Sequence, residues 1–141
     1  MKIKSLHPSF KLPTKSRDQS GAYDLYMPEA GFVNGTVVSE IPLGFAAAIP
    51  DGYVGLVFPR SGVGVRSGLE LNNTCGVIDA DYRGEWKAFL RCKDCAESVS
   101  WSSGDRLLQV LFVPVGSFEF NLVDTLDETE RGTGGFGSSG K

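Results

Sequence analysis

The sequence predicts a single all-β domain, built as an antiparallel sandwich, jelly roll or barrel. Short runs rich in β-branched and aromatic residues recur between clusters of Gly, Pro, Asn and Asp, which is the pattern of strands joined by turns. No stretch of about 15 residues carries an apolar stripe at helical spacing. The chain is 141 residues long and has no internal repeat, so one domain accounts for its length.

The predicted elements follow one another as strands with one weak helical segment between them. Strands are predicted over 36–42, 45–49, 53–58, 86–91, 107–113 and 118–122. Between Ser61 and Leu69 at most a turn or two of helix fits, because the glycines in this segment disfavour a longer one. From about Asp124 the composition becomes acidic and then glycine-rich. We therefore expect a β domain over 1–123 and a C-terminal tail over 124–141.

Composition and charge exclude several classes of function. Hydrophobic residues make up 41% and charged residues 22% of the chain, so it is expected to fold. The net charge of −3 gives no general electrostatic basis for binding nucleic acid. No apolar run approaches the roughly 20 residues that span a bilayer, and the N-terminus lacks the apolar stretch of a signal peptide. The three cysteines then predict reduced thiols and a cytoplasmic location, or the host cytoplasm for a viral protein.

Glycine is over-represented, and much of the excess lies at the C-terminus. The chain has 18 glycines, five of them in its last ten residues, against about 10 expected from average usage. Two G-x-G-x-x-G patterns and a near Walker A string fall here, but no helix follows them, so neither a dinucleotide fold nor a P-loop is predicted. Free backbone amides beside Arg131, Ser138 and Ser139 still suit phosphate binding. A plain flexible tail is the alternative, although Phe136 would then have no surface to pack on.

Two turns that contain arginine are candidates for phosphate contacts. Pro59-Arg60-Ser61-Gly62 follows an apolar strand and combines a guanidinium with a hydroxyl and a glycine amide. The alternative is an ordinary strand exit with a surface arginine. Gly104-Asp105-Arg106 is equally open, because a β-turn with a local ion pair would explain it.

The segment 76–84 is the richest candidate for catalysis, since it places charged residues and a tyrosine in one predicted turn between strands. The only histidine, His7, is expected to be a surface bystander, so a general base for hydrolysis would be a carboxylate. Asp79 or Asp81 is best placed to orient a water molecule. Alternatively, one of the two aspartates caps the turn and the other pairs with Arg83.

The C-x-x-C pair Cys92 and Cys95 raises the question of a metal or redox site. A zinc site needs four ligands, and only Cys75 and His7 remain as soft donors elsewhere in the chain. A thioredoxin-type motif belongs at a strand–helix junction, and no helix is predicted here. We therefore expect a hairpin tip with incidental thiols.

Taken together and in order, five segments resemble the five motifs of the trimeric deoxyuridine triphosphatase (dUTP pyrophosphatase) family. The segments are Ser20-Gly21-Ala22-Tyr23-Asp24-Leu25, Pro59-Arg60-Ser61-Gly62, residues 76–84, Gly104-Asp105-Arg106-Leu107-Leu108-Gln109, and residues 131–140. The similarity runs from about residue 16 to the end of the chain. One such motif alone would be weak, whereas five in the family's order and spacing are specific.

The resemblance implies a β-jelly-roll (β-clip) homotrimer with active sites at the subunit interfaces and the glycine-rich tail closing over each site. It also implies hydrolysis of dUTP to dUMP and pyrophosphate, assisted by Mg²⁺ that is held mainly by substrate phosphates and water. Such an activity limits uracil incorporation into DNA and supplies dUMP for dTTP synthesis. Neither nucleic acid nor a membrane is an expected partner.

The resemblance further assigns roles to individual residues. Asp79 is expected to activate the water that attacks the α-phosphorus. Tyr82 is expected to lie under the deoxyribose and exclude a 2′-hydroxyl, and Lys87 to lie near the ligand. Asp24 is expected to order metal-side waters or the phosphate-binding arginine. The uracil edge is assigned to Asn73, Gly76, Val77 and Ile78, the phosphates to Arg60, Ser61, Gly62 and Gln109, and the closing tail to Arg131, Phe136, Gly137, Ser138 and Ser139, with Phe136 stacking on the uracil.

Two other functions stay open. A dCTP deaminase-type or bifunctional enzyme of the same superfamily would need a catalytic glutamate, and the best-placed candidate, Glu85, is expected to face outward on a strand. A non-catalytic regulator that senses dUTP would keep the binding residues without needing Asp79 as a base.

Overall fold

The computed structural model describes residues 1–135, and this part of the chain forms eleven β-strands and one short helix. The strands are β1 (Lys2–Ser5), β2 (Tyr23–Leu25), β3 (Gly31–Asn34), β4 (Ser39–Pro42), β5 (Phe45–Ala48), β6 (Tyr53–Pro59), β7 (Leu69–Leu71), β8 (Gly76–Ile78), β9 (Lys87–Cys92), β10 (Ser98–Trp101) and β11 (Leu108–Pro114), and the helix α1 spans Ser61–Arg66. The prediction of an all-β fold is confirmed.

Antiparallel pairing joins the strands into four small sheets. The largest has the order β2-β11-β6-β8 and a second has the order β4-β9-β7, while β1-β5 and β10-β3 form two-stranded ribbons. β6 and β11 pair along their whole length, from Tyr53 opposite Pro114 to Pro59 opposite Leu108. Such pairing between strands distant in the chain is typical of a jelly roll rather than of a meander of hairpins.

The core lies between these sheets and is filled by large apolar side chains. In β9, Ala88, Leu90 and Cys92 are buried and alternate with more exposed neighbours, which is the period of two that turns one face of a strand inward. Trp86 precedes this strand, is 1% exposed, and packs against Phe45 with ring centroids 4.9 Å apart. Burying a large apolar side chain in this way stabilises the fold by roughly 2 kcal/mol.

The helix α1 leaves β6 directly and lies on the surface, with no buried residue. Arg60 is its N-cap and keeps an extended backbone, with φ −69° and ψ 146°. Gly68, just beyond the helix, has φ +63°, a conformation that favours glycine and that ends a helix. The prediction of a turn or two of helix is confirmed. No helix within residues 1–135 is long and apolar enough to cross a membrane.

The predicted strand over 118–122 is wrong. This segment has no regular structure, and Phe118 and Phe120 are 79% and 98% exposed. Alternating apolar residues suit a half-buried strand, but a strand also needs a neighbour to bond with. Within residues 1–135 no strand pairs with this segment, so the pattern is present without its partner.

Six short strands, β1, β2, β3, β7, β8 and β10, lie outside the predicted ones. Each is only three or four residues long, so it shows too few alternations for a period of two to stand out from the sequence. Three of these strands nevertheless carry or adjoin residues that were predicted to bind a ligand. β2 and β8 form the two edges of the largest sheet, and β7 precedes the turn that leads to β8.

Candidate active site

Two surface cavities contain most of the residues predicted to act on a ligand. The first, which we call the arginine cavity, has a volume of about 550 Å³ and is lined by Ser16, Ser20, Gly21, Ala22, Asp24, Arg60, Ser61, Gly62, Val63, Arg66 and Gln109. The second, the hairpin cavity, has a volume of about 390 Å³ and is lined by Glu40, Val77, Ile78, Asp79, Tyr82, Glu85, Lys87 and Phe89. The two cavities share no residue.

Asp24 is a buried charge in the wall of the arginine cavity. It lies on β2 and is 5% exposed. Its Oδ1 accepts a hydrogen bond from Arg60 Nε at 2.8 Å, and its Oδ2 accepts from Arg106 Nη1 and from Ser16 Oγ, both at 3.0 Å. A carboxylate is tolerated in such a place when opposite charges and hydrogen bonds satisfy it. Asp24 therefore holds the Arg60 guanidinium at the cavity.

In the turn before β11, the alternative of a β-turn with a local ion pair holds only for the β-turn. Asp105 accepts the backbone N–H of Ser102 at 2.8 Å and closes the turn, whereas Arg106 reaches Asp24 on β2. The antiparallel pairing of β11 with β2, in which Gln109 lies opposite Asp24, brings these distant segments together. The arginine thus serves the cavity rather than its own turn.

Arg60, Ser61, Gly62 and Gln109 meet where β6 passes into α1. Backbone N–H groups in the first turn of a helix have no acceptor within the helix and are free for a ligand. A Cβ built on Gly62 would meet nothing within 4 Å, so the approach is open. Gln109 Nε2 donates to the carbonyl of Pro59 at 3.2 Å, which anchors this side chain beside the turn. Such a combination of guanidinium, hydroxyl, amide and backbone N–H groups suits phosphate oxygens.

The arginine cavity is also lined by three residues that the sequence did not predict to bind a ligand, namely Arg66, Ser16 and Ser20. Arg66 is the basic residue of the last turn of α1. A second basic residue on the segment predicted as helical was the signal available in the sequence. Ser20 begins the first of the five motif segments, whereas Ser16 lies before that segment and carried no signal, because its proximity to the cavity depends on the sheet.

Asp79 follows β8 immediately and begins the loop that carries Tyr82. The backbone N–H of Tyr82 donates to the carbonyl of Asp79 at 3.2 Å and closes this turn. The structure therefore places Asp79, Tyr82 and Lys87 around one cavity, together with Val77 and Ile78. β8 is an edge strand, so one row of its backbone N–H and C=O groups has no partner strand within residues 1–135.

Lys87 lies at the rim of the hairpin cavity and is paired with a carboxylate. Its Nζ donates to Glu40 Oε1 at 2.6 Å, across the pairing of β9 with β4. The hydrogen bond to Glu40 and the negative charge of Glu40 raise the pKa of the Lys87 ammonium above its ordinary value. Lys87 therefore stays protonated, with part of its charge already neutralised.

Asn73 and Gly76 line neither cavity of the single chain. Asn73 lies in the turn after β7, where its carbonyl accepts the backbone N–H of Cys75 at 2.6 Å. Gly76 begins β8 and lies close to β6, because a Cβ built on it would come within 3.2 Å of the Val57 Cβ. Sheet packing thus explains the glycine, and the assignment of both residues to the uracil edge stays a prediction.

Two charged residues in the loop between β8 and β9 differ from the sequence-based interpretation. Arg83 Nη1 donates to the carbonyls of Ala80 and Tyr82 rather than to an aspartate, so the alternative in which Arg83 pairs with Asp79 or Asp81 is wrong. Glu85 does not lie on a strand, and its Oε1 accepts the backbone N–H of Gly44 at 3.2 Å. Both side chains therefore stabilise the backbone in and beside the loop between β8 and β9.

The cysteine pair is not a hairpin tip, because β9 pairs with β4 and β7 while β10 pairs with β3. Cys92 is buried and its thiol contacts the carbonyl of Val33 at 3.7 Å, and burial raises the pKa of this thiol. Cys95 is exposed in the turn that follows. Within the described range no group of His, Cys, Asp and Glu side chains could hold a metal ion by itself.

His7 lies in the N-terminal loop and lines neither cavity. Its Nε2 contacts Glu29 Oε1 at 2.9 Å and its Nδ1 accepts the backbone N–H of Ser9 at 3.1 Å. A carboxylate therefore remains the candidate general base, as the sequence predicted.

Among the predicted tail residues, Arg131 is the one that lies within the described range. It is exposed, and its Nε donates to the carbonyl of Gly134 at 2.8 Å within a local turn. Phe136, Gly137, Ser138 and Ser139 lie outside the described residues. Their assignment to the closing tail stays a prediction.

The two cavities lie toward opposite ends of β6. Arg60 follows the C-terminal end of this strand. Ile78 is opposite Gly55 in the antiparallel pairing, so Asp79 is level with the residue before Gly55, six positions before Arg60. At about 3.3 Å per residue, the two functional residues are separated by about 20 Å along the sheet. A single chain therefore does not bring Asp79 and Arg60 to the same ligand atom.

The sequence and the fold are similar to known proteins along nearly the whole chain. The dUTPase family model matches residues 8–140. A deoxyuridine 5'-triphosphate nucleotidohydrolase of Corynebacterium diphtheriae is 39% identical over 138 residues, which cover 98% of this chain and 91% of that protein. The protein of the same description from Syntrophotalea carbinolica is 40% identical over 142 residues, covering 99% and 96%.

Solved structures give the same result for the fold. The dUTPase of Staphylococcus bacteriophage 80alpha with dUPNHPP has a TM-score of 0.88 and 26% identity, covering 99% of this chain and 98% of that one. A mutant dUTPase from phage phi11 of S. aureus, described with a structural Mg(II) ion, has a TM-score of 0.80 and 22% identity, covering 88% and 96%. With its five motifs, its jelly-roll sheets and these matches, the chain belongs to the dUTPase family.

Proposed function

We propose that this protein hydrolyses dUTP to dUMP and pyrophosphate, at a site formed by the hairpin cavity of one chain and the arginine cavity of another. The observation that carries the proposal is the hairpin cavity, where Asp79, the edge of β8 and the Tyr82 ring surround one space. This arrangement supplies a general base, a hydrogen-bonding edge for a pyrimidine and a wall for a sugar.

Asp79 is proposed to take the proton from the water that attacks the α-phosphorus. Within residues 1–135 no ion pair or hydrogen bond engages its carboxylate, so both oxygens are available to a water molecule. A carboxylate in this position acts by orienting the water and accepting its proton as the P–O bond forms. The leaving group is pyrophosphate.

The free edge of β8 is proposed to select uracil. Along 76–78, the residues whose N–H and C=O groups do not face β6 present a donor and an acceptor at this edge, and a pyrimidine amide can match such a pair. A site that hydrogen-bonds its substrate rejects a mismatched analogue strongly, because its own polar groups are then left unpaired. Asn73, in the turn before this strand, is proposed to add a contact to the uracil.

The arginine cavity is proposed to hold the triphosphate. Arg60, Ser61, Gly62 and Gln109 supply the contacts, and Asp24 fixes the Arg60 fork so that less side-chain freedom is lost on binding. The tail, through Arg131, Phe136, Gly137, Ser138 and Ser139, is proposed to close over the bound nucleotide.

Magnesium is proposed to act on the substrate rather than in a protein cage. Both oxygens of Asp24 already accept hydrogen bonds from arginine or serine, and the described residues offer no cluster of three metal-ligating side chains. Mg²⁺ keeps several waters and binds nucleotide phosphates readily, so a site with few protein ligands fits it. When bound, it would neutralise charge on the phosphate oxygens, while Asp24 would act on the site by holding Arg60 in place.

A homotrimer is proposed to unite the two cavities, because one chain leaves them about 20 Å apart along the sheet. The chain also leaves an apolar groove of about 410 Å³ open, lined by Met1, Ile3, Leu12, Pro13, Tyr23, Phe45, Pro50, Tyr53, Trp86, Val110 and Phe112. The indole N–H of Trp86 has no acceptor within the described range although the ring is buried. A second copy is a natural occupant, since Phe118 and Phe120 of this same chain are uncovered.

The substrate assay follows directly. Purified protein with Mg²⁺ is incubated separately with dUTP, dCTP, dTTP and UTP, and pyrophosphate and ammonia are measured. We expect pyrophosphate from dUTP alone. Ammonia from dCTP would identify a deaminase instead, and binding of dUTP without product would identify a regulator that senses the nucleotide.

Asp79→Asn tests the base. We expect the rate of pyrophosphate release to fall by about 10³-fold or more, because the amide accepts no proton, while dUTP still binds. Calorimetric titration with dUPNHPP measures that binding. Asp81→Asn is the matched control on the same turn, and turnover of Asp79→Asn equal to that of this control would remove Asp79 from the role.

A further inference from the structure

The ring of Tyr82 packs directly on the backbone of Gly84. A Cβ built on Gly84 would lie 2.6 Å from Tyr82 Cζ and 2.9 Å from Cε2, and it would also overlap the hydroxyl oxygen. Real Cβ atoms do not approach other atoms this closely, so any side chain at this position would push the ring away. The ring takes its observed position only because residue 84 has no Cβ.

The hydroxyl of Tyr82 is already used within the loop. It donates to the carbonyl of Glu85 at 3.0 Å. A phenol has a single proton to donate, so this contact removes the hydroxyl as a donor to a ligand. What Tyr82 presents to the hairpin cavity is therefore its ring, which is 44% exposed.

The acceptor of that hydrogen bond is held in place from two sides. The Glu85 side chain accepts the Gly44 backbone N–H at 3.2 Å. The next residue, Trp86, is buried and its backbone bonds both Phe45, at 2.9 Å, and Leu43, at 2.9 Å. The Tyr82 ring is thus fixed between a glycine surface and a carbonyl that cannot move freely.

We propose that Gly84 is a positioning residue for sugar selectivity, acting through Tyr82. Because Gly84 has no side chain, the Tyr82 ring packs against the backbone of the loop. The ring then forms a rigid wall that leaves no space for a 2′-hydroxyl. The discrimination is steric, and the hydroxyl of Tyr82 serves only to hold the ring. This inference rests on the proposed hydrolysis of dUTP at the hairpin cavity.

Gly84→Ala is the direct test, with kcat and KM measured for dUTP and for UTP. We expect the preference for dUTP over UTP to fall by about tenfold or more, mainly through the KM values, because the displaced ring no longer matches the deoxyribose. Rejection of dCTP and dTTP should be unchanged, since the edge of β8 is untouched. Gly64→Ala is the control, because a Cβ there would meet no atom closer than 3.9 Å.

Tyr82→Phe and Tyr82→Leu test the mechanism without changing Gly84. Tyr82→Phe should keep the preference for dUTP within about twofold, because the ring remains and only the internal hydrogen bond is lost. Tyr82→Leu should lower the preference, and adding Gly84→Ala to it should have little further effect, since the two residues act through one contact.

The outcomes separate this inference from the proposed function. If the wild-type protein does not hydrolyse dUTP, the proposed function fails and the inference fails with it. If the wild-type protein hydrolyses dUTP and Gly84→Ala rejects UTP as well as the wild type does, only the positioning role is overturned. Selectivity in Tyr82→Leu equal to that of the wild type would overturn the steric account even if Gly84→Ala does not fold.

Discussion

At the scale of single residues, the site depends on a few charges that neighbouring strands hold in place. Asp24 is the clearest case, because two guanidiniums and a hydroxyl converge on its buried carboxylate. Removing one partner of a buried ion pair leaves the other charge uncompensated and lowers the stability of the fold. The loss of stability is smaller here, because Arg60 and Arg106 are partly exposed to water.

Asp24→Asn is expected to lower the free energy of unfolding by about 1–3 kcal/mol, since Arg60 and Arg106 lose their counter-charge. It should also raise KM for dUTP, because Arg60 is no longer fixed at the cavity. Urea denaturation and steady-state kinetics measure the two effects. Asp51→Asn, in an exposed turn, is the control and should change stability by less than about 0.5 kcal/mol. Equal stability of the two variants would contradict the role of Asp24 as the anchor of Arg60.

Residues whose chemistry is local could be predicted from the sequence, whereas contacts that the sheets create could not. Asp79 and Tyr82 fall within the motif 76–84, so their proximity in the hairpin cavity followed from the motif, and Lys87 lies three residues beyond it. For Arg106 the sequence left a phosphate contact and a pair within its own turn open, and neither predicted its contact with Asp24, which exists because β11 pairs with β2. Which residues meet across the sheet depends on the register of short strands. Strands of three residues show too few alternations for that register to be predicted from the sequence.

At the scale of elements, the uncovered segment 118–122 is the most informative departure. Its apolar residues alternate as in a strand, yet it is exposed and unpaired within residues 1–135. Acidic residues follow this segment at positions 124, 127, 128 and 130. Basic residues lie next to the apolar groove, because Lys2, Lys4 and Arg83 line a cavity that shares Ile3 with it. Both the apolar pattern and the charges suit docking on another copy of the chain.

Phe120→Asp is expected to weaken this association, because a charge would enter the apolar groove of a neighbouring copy. Light scattering after size exclusion should change from a mass of about three times 15.2 kDa towards a single chain, and turnover should fall in parallel. Glu119→Gln is the neighbouring control. A trimer of unchanged stability in Phe120→Asp would show that the segment does not take part.

At the scale of the whole molecule, the central claim is that one chain carries two half-sites that only an assembly can unite. The all-β fold followed from composition and periodicity, but the distance between the half-sites did not, because it depends on the register of β6 with β8. The separation of about 20 Å between Asp79 and Arg60 is the observation from which we propose that catalysis needs an assembly.

Subunit mixing tests this claim most directly. Asp79→Asn inactivates the hairpin half-site and Arg60→Gln inactivates the arginine half-site, so each variant alone should be nearly inactive. When the two variants are co-expressed with different tags and the trimers that carry both tags are purified, about a third of wild-type dUTP hydrolysis should be restored. One of the three sites of each mixed trimer then takes both halves from intact segments. Mixed assemblies that contain both variants and show no recovered activity would contradict the account.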